Sequence, residues 1–352
     1  MADGQISVLD PATIRALRRE SPKSRARDFA AANGIPEAAL VAAHIGHGVT
    51  AINATPDALF PLIGTLGDVL ALTRNTSCVH ERRGHYSDYH GGPHAAMVLD
   101  PEIDMRMFPS HWVHGFAVEE AAPDGSIKRS LQVFDAAGDA VHKVHLKADS
   151  NHAGFATLVS TLHLPEQSPS LTFSPAKPTE PAKADPARAA DLRADWDAMT
   201  DTHQFLQMVK RHKMNRLGAN RVVGEPHAVA LEPEAVTLTL RQAAAARIPV
   251  MIFVGNAGCI QIHGGLIENI VPMGPWINVM DPRFNLHLRA DHIAEVWCVT
   301  KPTRTGDAIS VEAFDAEGGL ILQIFGYRKD TPAAPWNALT QTLPRRRAEV
   351  MA

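Results

Sequence analysis

His203 has the sequence surroundings that best suit chemistry in this chain. It lies in ADLRADWDAMTDTHQFLQMVKRHK, residues 190–213, where apolar residues recur at helical spacing before and after it. One continuous helix places His203 on the apolar stripe of that helix. A helix that restarts at Asp201 instead makes Gln204 part of a capping box and puts His203 in the first turn. Both alternatives set His203 beside Phe205 and Leu206.

Two roles are open for this imidazole. A lone histidine on an apolar face is most often a hydrogen-bonded core residue. A neutral imidazole among aliphatic and aromatic side chains is also what haem iron takes as an axial ligand, with cations nearby for the haem carboxylates. Each candidate cation can equally be a solvated surface charge. Such cations occur in both halves of the chain, at Arg106, Arg216, Lys301 and Arg328.

A second concentration of histidines lies in CVHERRGHYSDYHGGPH, residues 78–94. Its spacings of five, five and four residues match no fixed metal-binding template. We expect a polar loop here, with an accessory metal or haem contact as the alternative. A non-haem metal enzyme built on this run stays open as a different functional class. The four histidines are His80, His85, His90 and His94.

These candidate residues are distributed over a duplicated chain. Residues 96–112 align with 277–293 at an offset of 181, and residues 130–138 align with 310–318 at an offset of 180. Two halves that began alike diverge afterwards, so a residue present in only one half marks a specialised function. Arg106 is such a residue, because its counterpart in the second half is His287.

The two halves predict the fold class. Each begins with helical patterns and continues with short alternating runs that are typical of strands. This order favours an α+β fold in which each half has helices and a large antiparallel sheet. We predict an N-terminal repeat at 1–163, a proline-rich linker at 164–187, a C-terminal repeat at 188–335 and a tail at 336–352.

Composition limits the functional classes. The net charge of −4 over 352 residues argues against a general polyanion binder, although the basic run from Arg15 to Arg27 keeps a nucleic-acid-binding regulator as an alternative. The N-terminus has no secretory h-region, and no stretch of 18 apolar residues occurs. We therefore expect a cytoplasmic protein.

The cysteines agree with that compartment. Cys78, Cys259 and Cys298 form no CxxC framework, which fits a reducing environment. Cys78 and Cys259 occupy equivalent positions in the two halves. That equivalence predicts inherited core packing rather than reactivity.

Longer motifs give a resemblance that spans about residues 15–335. The chain resembles the cytoplasmic haemin-degrading and haem-transport family of the HemS, ChuS and HmuS type. The resemblance implies two repeats packed as a saddle of large antiparallel sheets, with haem bound in a cleft of the second repeat. The matching segments are DPEIDMRMF (100–108), DWDAMTDTHQF (195–205), residues 258–289, KPT (301–303) and FGYRK (325–329).

The resemblance also assigns residues. It implies that His203 is the axial ligand of the haem iron and that Arg106 is the distal arginine, with a tentative catalytic role. Phe325 stands where several relatives carry a tyrosine, so a hydrogen bond from that hydroxyl is lost here. The loss bears on oxidative ring opening more than on haem binding. Positions that hold the propionates or line the pocket match Arg216, Lys301 and Arg328.

The function implied by the resemblance is haem binding for haem utilisation and iron acquisition. The protein is expected to accept imported haem and either to degrade it oxidatively or to pass it to a haem oxygenase. Expected partners are haem, a haem oxygenase or reductase, and a haem importer. Neither nucleic-acid binding nor membrane insertion is expected, and a homodimer stays open.

Overall fold

The computed structural model describes residues 8–327 and 332–346 of the chain. These residues form two units. The first unit holds the described residues up to Arg74 together with His80–Lys177 and Gly255–Gln261, and the second holds Asn75–Val79, Pro178–Val254 and the described residues from Ile262 onward.

The first half of the chain combines helices with antiparallel strands. Its helices are α1 (Pro11–Glu20), α2 (Ala26–Ala32), α3 (Glu37–Ala42), α4 (Pro56–Ile63) and α5 (His152–Leu162). Its strands are β1 (Val49–Ala51), β2 (Val69–Arg74), β3 (Cys78–Gly84), β4 (Tyr89–His90), β5 (Ala96–Leu99), β6 (Asp104–Met107), β7 (His114–Ala121), β8 (Ile127–Phe134) and β9 (Ala140–Leu146). Six of these strands are ordered β1-β7-β8-β9-β2-β3, and β4, β5 and β6 form an antiparallel meander.

The second half repeats this plan. Its helices are α6 (Ala189–Asp197), α7 (Gln204–Arg211), α8 (Arg216–Val223), α9 (Ala235–Ala245) and α10 (Ala334–Gln341). Its strands are β10 (Ala228–Leu231), β11 (Val250–Gly255), β12 (Cys259–Gly265), β13 (Ile270–Met273), β14 (Trp276–Met280), β15 (Phe284–Arg289), β16 (Glu295–Lys301), β17 (Ala308–Phe314) and β18 (Leu320–Gly326). The order β10-β16-β17-β18-β11-β12 matches that of the first half, strand for strand. The predicted duplication and α+β class with large antiparallel sheets are confirmed.

Three helices cover one face of each large sheet. In the first unit α1, α2 and α3 pack on Phe116 and Phe134. In the second unit α6, α7 and α8 pack on Val299 through Trp196, Phe205 and other buried residues. Burying a large apolar side chain contributes about 1.5–3 kcal/mol, so these contacts hold the helices against the sheets.

Local sequence signals explain several helix boundaries. Asp10 accepts hydrogen bonds from the backbone N–H groups of Ala12 and Thr13 at 3.0 and 3.1 Å, and Pro11 begins α1. Asn215 accepts from the N–H of Gly218 at 3.0 Å and begins α8. Such side chains satisfy N–H groups that the first helical turn leaves unpaired.

The tail predicted from residue 336 is wrong over its described part. Residues 334–341 form α10, whose Trp336 is buried and donates from Nε1 to the Ile309 carbonyl at 2.9 Å. Leu339 and Leu343 follow Trp336 at helical spacing and are also buried, a signal that the terminal arginines obscured. Between Leu164 and Asp185 the structure has neither helix nor strand. No described helix is long and apolar enough to cross a membrane.

Candidate functional site

The helix that carries His203 is broken just before it. Helix α6 ends at Asp197 and α7 begins at Gln204, so the predicted break is confirmed and the continuous helix is wrong. The restart lies three residues later than the predicted Asp201, which leaves His203 just before the first helical turn rather than in it. The side-chain oxygen of Gln204 accepts from the backbone N–H groups of Thr200 at 2.9 Å and Asp201 at 3.3 Å, which stabilises the break. His203 is the N-terminal cap residue, and its side chain is 93% exposed. The interpretation as a core residue is therefore also wrong.

A carboxylate fixes the orientation of this imidazole. Nδ1 of His203 lies 2.6 Å from Oδ1 of Asp201, and the His203 backbone N–H donates to the same oxygen at 2.8 Å. Because an ionised carboxylate only accepts, Nδ1 carries a proton, and in the neutral form of this imidazole Nε2 carries the lone pair. Hydrogen bonds from the His203 backbone and side chain lower the pKa of Asp201. Among the described residues Nε2 has no hydrogen-bond partner, so it is available to a metal.

Asp201 was not singled out by sequence reasoning. The signal that points to it is the Asp-x-His spacing at the start of a helix, where an aspartate readily accepts from groups two residues later. A carboxylate, a histidine and an open ring nitrogen form the arrangement that metal-binding histidines commonly use.

A buried charge cluster lies on the sheet of the second unit. Glu312 on β17 is 0% exposed and accepts from Nζ of Lys301 at 2.8 Å and from Arg216 at 3.1 Å. Burial alone would raise the pKa of Glu312, but the two cations outweigh it and lower that pKa to about 2. Burial lowers the pKa of Lys301, and Glu312 offsets part of that effect. Three uncharged donors complete the shell of the carboxylate, namely Gln323, Ser310 and Asn220.

Phe205 connects this cluster to the helix of His203. It lies two residues after His203 and is buried, with Nζ of Lys301 4.6 Å and the guanidinium carbon of Arg216 5.0 Å from its ring centroid. Cations are attracted to the face of an aromatic ring at such distances. The second unit thus brings Arg216 and Lys301 together directly beneath the start of α7.

An apolar patch continues the same face of the sheet. Glu312 pairs with Gln323 and Ser310 pairs with Phe325 across β17 and β18. Since alternate residues of a strand share a face, Phe325 lies on the side of the charge cluster. Its ring centroid lies 5.1 Å from that of Phe253 on β11, and both rings are half-buried. A flat apolar ligand has a surface to contact here.

A polar cavity lies beside His203. Its lining comprises Thr200, Asp201, His203, Gln204, Gln207 and Arg304. The backbone N–H of Arg304 donates to the Thr200 carbonyl at 3.1 Å, so the turn after Lys301 is held against the loop before α7. Sequence reasoning stopped at Lys301 in this turn and missed Arg304.

Two further site residues predicted from the sequence are Arg106 and Arg328. Arg106 belongs to the first unit, on β6, where Met105 and Met107 are buried and Arg106 pairs with Asp104. This is the alternation expected of a half-buried strand. Arg328 lies outside the described residues.

The histidine run at 78–94 is not simply a polar loop. His80 lies on β3 and is buried, and Tyr86 is also buried. Among the described residues one group has metal-ligand spacing, Asp68, His85 and Glu102, and it contains a single member of the run. The four histidines therefore do not form one metal site.

Tyr86 belongs to a buried hydrogen-bonded chain in the first unit. Its hydroxyl lies 2.6 Å from Nε2 of His142, and Nδ1 of His142 lies 2.9 Å from the hydroxyl of Thr73. Thr73 is in turn 3.4 Å from the sulfur of Cys259. Burial lowers the pKa of His142 to about 3, so this imidazole is neutral at physiological pH.

Part of the basic N-terminal run is occupied by internal contacts. Arg15 donates to the Ala43 carbonyl at 2.5 Å, and Arg18 donates to the carbonyls of Ser21 and Ser24 at 3.0 and 2.7 Å. The Arg18 guanidinium also lies over the ring of Phe29, 5.5 Å from its centroid. These arginines hold the first helices together, which weakens the case for a nucleic-acid interface.

Known proteins share this organisation. The chain is 38% identical over 314 residues to the hemin transport protein HmuS of Yersinia pestis, a match that covers 89% of this chain and 90% of that protein. Its fold is similar to holo-PhuS, a heme-binding protein from Pseudomonas aeruginosa, with a TM-score of 0.90, 40% identity and coverage of 96% and 100% of the two chains. It is also similar to ChuS, an E. coli heme oxygenase, with a TM-score of 0.83, 31% identity and coverage of 93% and 98%.

The duplication is present in the family comparison as well. A family model described as the haemin-degrading HemS.ChuX domain matches this chain twice, over residues 34–162 and 213–343. The two matches fall on the two halves that share one strand order. The chain therefore belongs to the haemin-degrading HemS/ChuX domain family.

Proposed function

We propose that this protein binds haem through its second unit, as a cytoplasmic acceptor of imported haem for haem utilisation and iron acquisition. The observation that carries the proposal is the state of His203, which is exposed while its Nδ1 is held by Asp201 at 2.6 Å. An imidazole in that state presents Nε2 as an axial ligand for iron. The names of the relatives, a hemin transport protein and a heme-binding protein, support the same ligand.

The residues around His203 fit an iron porphyrin. Asp201 selects the tautomer and makes Nε2 a stronger electron donor, because it draws on the Nδ1 proton. The half-buried rings of Phe253 and Phe325 offer an apolar surface for a porphyrin face. Arg216 and Lys301 carry the positive charge that haem carboxylates require. When bound, the haem iron supplies the oxygen and redox chemistry, and the protein supplies binding and orientation.

The test is a haemin titration followed by the Soret band. We expect one haem per chain for the wild type, and loss of the axial-ligand spectrum with at least about tenfold weaker binding in His203→Ala. Asp201→Asn keeps the ligand but loses the carboxylate, so we expect an intermediate loss. His47→Ala is the matched control, because His47 is also an exposed histidine and belongs to none of the candidate groups. Unchanged spectra and affinity in His203→Ala would overturn the proposal.

Arg106 enters the same titration as a separate variant. Its distal role is a prediction from the family resemblance. Arg106→Ala is expected to leave the His203 ligand in place and to change the sixth-ligand state of the iron. A spectrum identical to that of the wild type contradicts the distal role while leaving the His203 assignment intact.

Two activities are compatible with bound haem, namely oxidative ring opening and transfer to a haem oxygenase. Phe325 contributes no hydroxyl, so any proton needed at that position has to come from another group. Reduction of the haem complex in air, with catalase present, separates the two. Loss of the Soret band with release of a tetrapyrrole and iron indicates degradation, whereas an intact Soret band indicates a carrier.

A further inference from the structure

The buried cluster around Glu312 carries one more positive charge than negative charge. Lys301 and Arg216 contribute two cations, and Glu312 contributes one carboxylate that both of them already bind. A buried charge is stabilised only when it is paired, so the cluster has one positive charge left for a ligand. Haem brings two propionates. If haem binds as proposed, one propionate requires a cation outside the cluster.

We infer that Arg304 is that cation and binds one carboxylate of haem at the rim beside His203. Arg304 and His203 line the same cavity. The hydrogen bond from the Arg304 backbone to Thr200 keeps the arginine at this cavity. Its side chain is exposed and makes no ion pair within 4.0 Å with residues 8–327 or 332–346. An exposed arginine beside the iron ligand is therefore ready for a carboxylate.

The charge balance of the Glu312 cluster, Asp201 and Arg304 supports this role. Asp201 adds a second carboxylate near the ligand, and the positive charge of Arg304 acts on it. With Arg304 included, three cations face two carboxylates and leave one positive charge. Ferric haem with both propionates ionised carries one negative charge. Without Arg304 the charges of Lys301, Arg216, Glu312 and Asp201 sum to zero and leave the negative charge of haem uncompensated by these groups.

Arg328 is the competing cation, since the family resemblance also assigns it to the pocket. Arg304→Gln and Arg328→Gln are therefore titrated side by side, each with haemin and with haemin dimethyl ester, whose propionates carry no charge. Arg241→Gln is the matched control, because Arg241 is an exposed arginine on α9 of the same unit.

We expect Arg304→Gln to weaken haemin binding about fivefold, as for a partly exposed ion pair, and to leave binding of the dimethyl ester unchanged. The difference between the two ligands is expected to shrink at high salt, because exposed charges are screened. Arg304→Lys keeps the charge and is expected to recover part of the affinity. Arg241→Gln is expected to change neither titration.

Equal losses for haemin and its dimethyl ester in Arg304→Gln would overturn the inference, and so would a loss specific to haemin in Arg328→Gln alone. Both outcomes leave a His203-dependent Soret band and hence the proposed function. Absence of that band in the wild type would overturn the proposed function and this inference together.

Discussion

Replacing Glu312 by glutamine tests whether the buried charge cluster stabilises the second unit. Glutamine keeps the size of the side chain and removes the charge that Lys301 and Arg216 share. Lys301 is 3% exposed, so water cannot solvate its positive charge when the carboxylate is removed. We expect the variant to lose free energy of unfolding, because a buried cation without its partner is far less stable than the pair.

Two estimates give the size of this loss. Breaking one side of a buried ion pair costs about 3–5 kcal/mol. The pKa of Glu312 falls from its ordinary value of 4.5 to about 2, which corresponds to about 3 kcal/mol by proton linkage. The loss also has an upper limit. Lys301 has an ordinary pKa of 10.5 and can release its proton at pH 7 for about 5 kcal/mol.

The pH dependence of the effect has a definite sign. Because the folded-state pKa of Glu312 is depressed, its stabilisation is fully present above about pH 4.5 and is lost as the pH falls towards 2. The difference in free energy of unfolding between the wild type and Glu312→Gln is therefore expected to be constant just above pH 4.5 and to decrease to zero in stronger acid.

Urea unfolding at pH 7, followed by tryptophan fluorescence, measures the loss. The fluorescence reports mainly on the second unit, which holds all the tryptophans except Trp112. Glu295→Gln is the control, because Glu295 lies on the same sheet but pairs with the more exposed Arg221. This variant is expected to lose less than about 1 kcal/mol of unfolding free energy. A free energy of unfolding for Glu312→Gln within about 1 kcal/mol of the wild-type value would refute a stabilising role for the buried cluster. So would a Glu312→Gln, Lys301→Met double variant that recovers no stability.

Two further predictions concern the buried polar residues. Burial depresses the pKa of His142 to about 3, so the neutral imidazole contributes fully to the free energy of unfolding above pH 6.5. The wild type is therefore expected to lose about 2 kcal/mol of that free energy between pH 7 and pH 5. Urea unfolding at pH 7 and pH 5 should show a smaller change in the free energy of unfolding for His142→Gln than for the wild type. An equal change in both proteins would contradict the neutral, buried state of His142. Burial raises the pKa of the fully buried Cys78 and Cys259. It raises the pKa of the half-buried Cys298 to about 11. Iodoacetamide at pH 8 is expected to label Cys298 first in the folded protein, and equal labelling of all three by peptide mass would be inconsistent with their burial.

The duplication made the fold predictable from sequence. An antiparallel meander has strongly local pairing, so repeated alternating runs in one order predict repeated sheets. The aligned block at 96–112 and 277–293 contains β5 and β6 in one half and most of β14 and all of β15 in the other. Trp336 shows the limit of this approach, because a short apolar pattern next to charged residues is equally typical of a tail.

The spacing of apolar residues does not decide whether the side chain of His203 is buried or exposed. A continuous helix and a restarted one give the same recurrence of apolar residues up to Leu206. The difference comes from Gln204, which satisfies the N–H groups of Thr200 and Asp201 and makes the break favourable. The exposure of the imidazole follows from that break, so its availability to iron depends on a capping interaction rather than on hydrophobic periodicity.

Glu312 was missed for a different reason. It lies in SVEAFDAEG, where nothing local distinguishes it from a solvent-facing acid on an edge of the sheet. Its burial depends on the register that brings it opposite Gln323 and on the helix that delivers Arg216. Lys301 is eleven residues away along the hairpin and lies opposite Ala308, so its long side chain reaches Glu312 from four positions along the strand, a contact that strand pairing does not identify.

Comparison of the two units shows what the duplication has kept and what it has changed. The third helix of each half begins at a buried ion cluster, but the signs are reversed. In the first unit Glu37 on α3 pairs with Arg74 and Lys143 on the sheet, whereas in the second unit Arg216 on α8 pairs with Glu312 on the sheet. Ion pairing at this junction is thus retained as a means of seating the helix.

The second helix of each half has diverged in a way that bears directly on ligand binding. The residue that precedes α7 is His203, and the residue that precedes α2 is Arg25, which has no lone pair for a metal. The residue two positions before Arg25 is Lys23, whereas the corresponding position before His203 is Asp201. The helical scaffold therefore occurs twice, whereas the histidine and aspartate that precede the second helix occur at this position in the second half alone. This asymmetry is the reason to expect one haem per chain in the haemin titration.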